Sequence, residues 1–236
     1  MHTPFETRLP KPAQSYLYFV MNSFLSIAAK VTGFSIISFS RFITAVFANW
    51  DGIRPSRRRR IYFANHVSNG DFILLWTVLP PPIRKLTRPV AAADYWLTSK
   101  LKTFIGRNVF NAVLIDRNRD TRVLDPIEQM LEALDEGSSL IIFPEGQRNT
   151  TDQMLPFKPG IFHLAEKRPD VELVPVWIEN LNRVLPKGEI IPIPFACSVT
   201  FGTPIRLEQD EDKQTFLKRA EKCVLNLSPD AGKNHD

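Results

Sequence analysis

The stretch IYFANHVSNGDFILLWTVL, residues 61–79, joins two hydrophobic patterns through a short polar segment. Residues 61–64 form an uninterrupted apolar and aromatic run, which is typical of a strand buried on both faces. From Asp71 the run FILLWTVL predicts a helix, which the prolines at positions 80–82 end. Ser68, Asn69 and Gly70 favour a turn between the two elements. The stretch therefore predicts a strand, a tight turn and a helix in immediate succession.

The rest of the chain repeats this alternation of strand-like and helix-like patterns. Apolar and β-branched runs predict strands at residues 61–64, 90–93, 112–115, 139–143, 173–177 and 196–201. Helical patterns follow from residues 71, 95, 120 and 160, and a last one places Phe216 to Leu227 on one face. In the clearest helix, apolar residues from Val123 to Leu134 form one stripe, with Asp120 as its expected cap.

This alternation predicts an α/β fold with a largely parallel twisted sheet flanked by helices. In such sheets ligands bind beyond the carboxyl ends of the strands. We predict one catalytic domain over residues 57–228, an N-terminal membrane-associating extension over residues 1–56 and a polar tail over residues 229–236.

The positive charge of the chain lies at its N-terminus. The net charge is +5, but residues 1–60 hold nine Lys or Arg against two acidic residues, whereas the remaining 176 residues hold 21 against 23. Such asymmetry indicates an anionic partner, either a membrane or a nucleic acid. The basic tetrad at residues 57–60 runs into an apolar strand and has no interleaved aromatic motif, which favours anionic lipid over nucleic acid.

Two uncharged, aromatic-rich runs accompany this charge, at residues 16–29 and 31–40, separated by Lys30. Each is shorter than the roughly 18–20 residues that span a bilayer. Their composition predicts helices that lie in the headgroup region of a membrane. The alternatives are a pair of core helices packed on the domain, or a true membrane span.

The turn after the first predicted strand carries His66 and Asp71. Histidine exchanges protons near neutral pH, and a carboxylate on its second ring nitrogen fixes the tautomer and stabilises the imidazolium. In a continuous helix a spacing of five would separate the two side chains by roughly 140°. Because Ser68–Gly70 favour a turn, the chain can instead bend His66 back toward Asp71, and we expect Asp71 to cap the following helix.

A second polar segment, FPEGQR, follows the predicted strand at residues 139–143. Pro144 and Gly146 predict a tight turn that presents Glu145 and Arg148. The planar guanidinium of Arg148 suits a phosphate group. Two further cations are candidates for the same site: Lys158, close by in sequence, and Arg117, at the end of another predicted strand.

These segments resemble motifs of the glycerolipid acyltransferase family, of the lysophosphatidic acid acyltransferase (PlsC-like) type. NHVSNGD is similar to its HX4D motif and FPEGQR to its FPEG motif. The block ending in Arg117 and the segment VPVWI at residues 174–178 are similar to two further motifs, in the same order. The chain departs from the family pattern at Gln147 and Asn149, which bears on the identity of the acceptor headgroup.

The resemblance implies that His66 is a general base oriented by Asp71. It implies that Glu145, Gly146, Arg148 and Arg117 bind the acceptor phosphate, with Lys158 nearby. The acyl donor would be a thioester of coenzyme A or acyl carrier protein. The acceptor would be a lysophospholipid, with 1-acylglycerol 3-phosphate as the first expectation and phosphatidic acid as its product. It implies no bound cofactor and no metal. The expected location is the cytoplasmic face of a membrane, as a peripheral or monotopic protein.

Other readings stay open at this level. The acceptor could be another lysolipid or glycerol 3-phosphate, and a lipid hydrolase would use water instead, although no GxSxG turn is present. A covalent mechanism would use Cys197 as the nucleophile, but nothing in the sequence places Cys197 beside His66. A membrane-binding scaffold without catalysis would not need charged residues at three strand ends.

Overall fold

A computed structural model of the chain describes residues 11–68, 70–118, 120, 122–149, 154–179, 196–229 and 231. Within these residues seven strands form one sheet in the order β1-β7-β6-β2-β5-β3-β4. The strands are β1 Phe47–Trp50, β2 Arg60–Ala64, β3 Thr87–Ala92, β4 Val113–Ile115, β5 Ser139–Ile142, β6 Glu172–Glu179 and β7 Ser198–Phe201.

The five strands from β6 to β4 in this order run parallel to one another. Strand β7 is antiparallel to β6, and β1 is parallel to β7. The predicted α/β fold with a largely parallel sheet is therefore confirmed. Every residue of β2 is buried, as the apolar run at residues 61–64 predicts for a central strand.

Helices cover both faces of the sheet. They are α1 Lys11–Thr44, α2 Asp71–Val78, α3 Pro81–Arg84, α4 Ala93–Trp96, α5 Lys100–Phe104, α6 Pro126–Asp135, α7 Gly160–Lys167 and α8 Lys213–Leu225, with a π-helical turn at Ile105–Val109 after α5. Because side chains alternate along β2, Ile61 and Phe63 join the core under α6, α7 and α8, whereas Tyr62 and Ala64 join the core under α1 and α2.

The N-terminal region differs from the predicted pair of helices, because α1 is one continuous helix. Lys30 is exposed, so its charge does not interrupt the helix. Gly33 is buried, and its backbone lies close to Val109 of the π-helical turn. The segment Tyr18–Thr44, 27 residues long, is apolar and long enough to cross a membrane by length and composition. The prediction of two separate shorter helices is therefore wrong, and the single helix has the length of a membrane span.

Strand β1 lies inside the range predicted for the N-terminal extension. It pairs in register with β7, and the ring of Trp50 stacks on Phe201 at a centroid distance of 4.0 Å. Its apolar residues follow α1 with no composition change that separates strand from helix. The domain boundary after residue 56 stays a prediction, but the sheet itself begins at Phe47.

Helix α6 begins later than predicted, and Asp120 does not cap it. The cap is Asp125, whose carboxylate accepts a hydrogen bond from the backbone N–H of Ile127 at 2.7 Å. Pro126 stands at the first helical position, and a residue before proline is disfavoured in helical conformation. Val123 is 94% exposed and precedes the helix, so it does not belong to the apolar stripe.

Candidate active site

Strands β2 and β5 are parallel neighbours, so the segments that follow them meet at one edge of the sheet. HVSNGD follows β2, and FPEGQR follows β5. The backbone N–H of Asn149 donates to the carbonyl oxygen of His66 at 2.6 Å, which joins the two segments directly. The two motifs recognised in the sequence therefore form one site.

His66 and Asp71 are in contact. The Nδ1 atom of His66 lies 2.8 Å from Oδ2 of Asp71. The same oxygen accepts hydrogen bonds from the backbone N–H groups of Val67 at 2.7 Å and Ser68 at 2.8 Å. The turn between the two residues thus folds around the carboxylate, and this brings together two side chains that a continuous helix would separate.

Asp71 is the first residue of α2, but it does not serve as the predicted cap. Gly70 occupies the cap position, and the carboxylate of Asp71 points back into the turn. Asp71 is fully buried, and burial raises the pKa of its carboxyl above the ordinary value, while the contact with His66 lowers it. Three donors converge on Oδ2 and offset part of the cost of burying a carboxylate anion.

The ring of His66 is held from a second side by Phe143. The two rings stack with centroids 4.3 Å apart and planes inclined by 22°. The side chain of His66 keeps 19% of its surface exposed, whereas that of Asp71 has none. With Nδ1 bound to Asp71, Nε2 is the ring nitrogen available to exchange a proton with a substrate.

Glu145 lies at this site, with its carboxylate turned inward and bound to backbone. It is 2% exposed. Its Oε1 accepts from the backbone N–H of His66 at 2.8 Å, and its Oε2 accepts from that of Leu155 at 3.0 Å. Burial raises the pKa of this carboxyl against the effect of these two donors. Both carboxylate oxygens are thus bound to backbone, one of them to His66 itself. The prediction that Glu145 contacts the acceptor phosphate stays a prediction.

Gly146 and Arg148 of the second motif are exposed, as is Lys158 farther along the chain. Gly146 has a φ of +69°, a conformation that glycine adopts without steric cost. The side chain of Lys158 packs against it, and the backbone N–H of Lys158 donates to the carbonyl oxygen of Pro144 at 2.8 Å. Two cationic side chains and an exposed tight turn therefore stand beside the His66 segment.

Arg117 follows β4, three strands away from β2 in the sheet. At roughly 4.8 Å per strand this separates the strand ends by about 14 Å. Arg117 is exposed, and its guanidinium binds the carboxylate of Asp94, at the start of α4, at 2.6 Å. This contact holds the pKa of Asp94 below its usual range. The structure does not bring Arg117 into contact with the other predicted site residues.

Two residues of the site escaped the sequence analysis in these roles. Phe143 is the last apolar residue before the FPEG turn, and its stacking on His66 depends on strand pairing. Asn65 precedes His66 and is buried; its amide exchanges two hydrogen bonds with the backbone of Ile178, at 2.8 and 3.0 Å. This pair ties the end of β2 to β6. The one sequence signal that could have indicated this role of Asn65 is its position, an amide between a buried strand and a histidine.

Cys197, the rival nucleophile, is fully buried at the start of the segment that leads into β7. Burial, with the charges of Asp71 and Glu179, raises the pKa of its thiol to about 11. A thiol with such a pKa is protonated at neutral pH and is a poor nucleophile.

The chain matches the Acyltransferase family over residues 49–179, a range that contains both motifs. A 1-acyl-sn-glycerol-3-phosphate acyltransferase from Cocos nucifera is 28% identical over 166 residues, which are 70% of this chain and 51% of that protein. The enzyme of the same name from Escherichia coli strain K12 is 31% identical over 137 residues, 52% of this chain and 51% of that protein. The chain thus spans about half the length of these relatives.

The fold is also that of a solved structure, the 1-acyl-sn-glycerophosphate acyltransferase PlsC from Thermotoga maritima. The two chains superpose with a TM-score of 0.66 at 22% identity, over 88% of this chain and 86% of the other. Because the family match covers more than half of the residues, the chain belongs to the Acyltransferase family.

Proposed function

We propose that this protein transfers a fatty acyl group from a thioester to the hydroxyl of a lysophospholipid, with 1-acylglycerol 3-phosphate as the acceptor and phosphatidic acid as the product. The observation that carries this proposal is the contact between His66 and Asp71 inside the range matched to the Acyltransferase family. The names of the relatives supply the acceptor class.

In the proposed reaction Nε2 of His66 takes the proton from the acceptor hydroxyl. The alkoxide oxygen attacks the thioester carbonyl, forms the new ester bond and breaks the carbon–sulfur bond. The proton on His66 returns to the leaving thiolate, so the histidine ends neutral. Asp71 keeps Nδ1 protonated and stabilises the imidazolium that forms between these steps. No metal or bound cofactor is needed in this scheme.

The acceptor phosphate would bind Arg148 and Lys158 beside the turn at Gly146. Both cations are exposed and follow the strand next to that of His66. In this proposal Glu145 positions His66 instead of contacting the phosphate, because its carboxylate accepts from two backbone N–H groups. Arg117, the other cation predicted to bind the acceptor, would lie farther from the reacting hydroxyl. The donor carrier is either coenzyme A or acyl carrier protein, since either supplies the same thioester.

We propose that the protein acts at the cytoplasmic face of a membrane. One side of α1 presents large apolar side chains to solvent, with Phe24 69%, Phe34 71% and Phe42 83% exposed. An apolar stripe of this size on the surface indicates contact with lipid. Within the tetrad at residues 57–60, Arg58 and Arg60 pair with Glu172 and Arg59 pairs with Asp170, so part of its charge is compensated. Its contact with anionic lipid stays a prediction.

The test is an acceptor panel with labelled acyl-CoA and acyl-ACP donors, presented on liposomes. We expect transfer to 1-acylglycerol 3-phosphate, and a loss of roughly 10²–10⁴-fold in turnover for His66→Ala. His163→Ala is the matched control, because His163 is the other histidine inside the domain and lies exposed on α7. Wild-type turnover in His66→Ala would refute the proposed base.

The same panel discriminates the rivals. A lipid hydrolase would release fatty acid without any lysolipid present. A scaffold would bind liposomes with no turnover of either donor, and His66→Ala would then behave as the wild type in every assay.

A further inference from the structure

A second exposed apolar surface lies at the sheet edge that carries the candidate active site. We call it the α4–α5 surface and define it by Tyr95, Leu97, Lys100, Leu101 and Lys102. Of its apolar residues, Tyr95 is 45%, Leu97 46% and Leu101 68% exposed. Helix α4 directly follows β3, which is parallel to β2, so this surface and His66 lie toward the same end of the strands.

The surface is rigidly supported from beneath. Trp96 contacts Phe72 edge to face at a centroid distance of 5.9 Å and Phe110 at 6.0 Å. Gly106 lies so close to Trp96 that an added Cβ would sit 3.1 Å from the indole ring. Because these aromatic contacts fix the backbone of the segment, the exposure of its leucines is a property of the fold.

The charges next to this surface are mostly basic. Residues 95–115 contain Lys100, Lys102 and Arg107 and no Asp or Glu, and Asp94 at the start of α4 is paired with Arg117. The Nζ atom of Lys102 lies 4.1 Å from the centroid of the Tyr95 ring. Exposed leucines next to a tyrosine and lysines are the composition of a segment at a membrane–water interface, where aromatic rings and ammonium groups meet lipid headgroups.

The α4–α5 surface is continuous with α1. Leu25 of α1 lines one shallow depression together with Leu97, Lys100 and Phe104. The close approach of Gly33 to Val109 joins α1 to the π-helical turn after α5 about two turns farther along α1. The apolar stripe of α1 and the α4–α5 surface therefore adjoin each other.

We propose that the α4–α5 surface is a second lipid-binding site, which contacts an anionic bilayer beside α1 and holds the edge carrying His66 against the headgroups. The choice of a bilayer over a second copy of the chain follows from charge, because two such faces would bring together four like charges, Lys100 and Lys102 of each copy. This inference rests on the proposed function in one respect, the purpose of the contact. That purpose is to bring the active site to an acceptor whose acyl tail stays in the membrane.

The first test is binding of the full chain to vesicles of phosphatidylcholine with one-third phosphatidylglycerol. Leu97→Ser combined with Leu101→Ser is compared with Leu86→Ser combined with Leu225→Ser, which removes two exposed leucines away from this surface. We expect the first pair to bind at least about fivefold more weakly than the control pair, since buried apolar area drives such binding. Equal binding by the two pairs would count against the proposal.

A second test covers the charges. Lys100→Gln combined with Lys102→Gln should weaken binding to these vesicles and leave binding to pure phosphatidylcholine unchanged. Lys213→Gln combined with Lys218→Gln, on α8, is the matched control and should have no comparable effect. An equal loss in both pairs would indicate a general charge effect and overturn the specific contact.

A depth probe separates this contact from any contribution of α1. An environment-sensitive fluorophore is attached at Leu101→Cys, or at Leu86→Cys as a control, in a Cys223→Ser background. We expect a blue shift on vesicles and quenching by headgroup-labelled lipid at position 101 only. A water-like spectrum at position 101 on bound protein, or a doubled mass in solution that Leu97→Ser and Leu101→Ser abolish, would overturn the proposal.

Vesicle contact without acyl transfer would support this inference while refuting the proposed function.

Discussion

The carboxylate of Glu145 accepts a hydrogen bond from the backbone N–H of His66 at 2.8 Å. A charged residue of one motif thereby fixes the backbone of the residue proposed as the base in the other. The second oxygen of Glu145 binds the N–H of Leu155. The FPEG turn therefore holds the histidine in place as well as presenting cations.

Substitution of Glu145 tests this positioning role. Glu145→Ala leaves two backbone N–H groups without their acceptor, so we expect a loss of about 2–4 kcal/mol in the free energy of unfolding. The kcat should fall at least tenfold with little change in KM for the acceptor, because the base moves while the cations remain. Urea unfolding and steady-state kinetics measure both. A rise in KM at unchanged kcat would instead indicate direct phosphate binding.

Asp71→Asn tests the proposed charge on the dyad. An asparagine oxygen in the place of Oδ2 can still accept from Val67 and Ser68, so the turn should fold. It carries no negative charge to stabilise an imidazolium, and we expect kcat to fall by roughly 10²–10⁴-fold. Thermal unfolding followed by circular dichroism verifies the fold. Turnover within twofold of the wild type would exclude Asp71 from the mechanism.

Arg148 and Arg117 should differ in their effect on the acceptor. Arg148→Ala should raise KM for 1-acylglycerol 3-phosphate by roughly 10–100-fold, since a hydrogen bond to a charged group contributes about 1.5–3 kcal/mol. Arg117→Ala should raise it less, because Arg117 is paired with Asp94 at a distant strand end. The measurement compares this acceptor with monoacylglycerol, which lacks the phosphate. An equal rise for both acceptors would argue against a phosphate contact.

Cys197 gives a prediction on pH. The folded state holds the pKa of its thiol at about 11, above the ordinary value of 9.0. The neutral thiol is favoured in the folded state, so stability is lost as pH rises from about 9 to 11, where only the unfolded chain ionises readily. We expect the wild type to lose unfolding free energy relative to Cys197→Ala across this window. The variant should keep kcat near neutral pH within about twofold. Its inactivity despite normal folding would revive the covalent mechanism.

The sequence predicts those parts of the fold that depend on local pattern. Residues 61–64 are apolar without interruption, and they form a strand buried on both faces. The start of α6 was misassigned because the apolar stripe extends back to Val123, whereas Pro126 and its preceding residue fix the actual boundary. Strand β1 was missed because its residues have the same apolar composition as the helix before them.

The site was predictable to the extent that its residues are neighbours in sequence. His66 and Asp71 lie five residues apart, and the turn between them is encoded by Ser68 and Gly70. The partner of Glu145 lies 79 residues away, so only the pairing of β2 with β5 reveals that this acidic residue points inward. The stacking of Phe143 on His66 has the same origin.

Gly146→Ala tests whether the tight turn keeps Lys158 in place. A Cβ at position 146 would lie 2.7 Å from Cδ and Nζ of Lys158, and the φ of +69° would strain any other residue. We expect a loss of about 1–2 kcal/mol in unfolding free energy, from the positive φ, and a several-fold rise in KM for the acceptor.

Gly137→Ala separates these two effects. Gly137 has a φ of +88° and nothing within 4 Å of an added Cβ, so its substitution shares the backbone strain and displaces no side chain. It should lose comparable stability and keep the wild-type KM. If both variants raise KM equally, the effect comes from destabilisation, and the contact between Gly146 and Lys158 has no part in binding. If Gly146→Ala alone raises KM, the phosphate binds only when the turn holds Lys158 in its place.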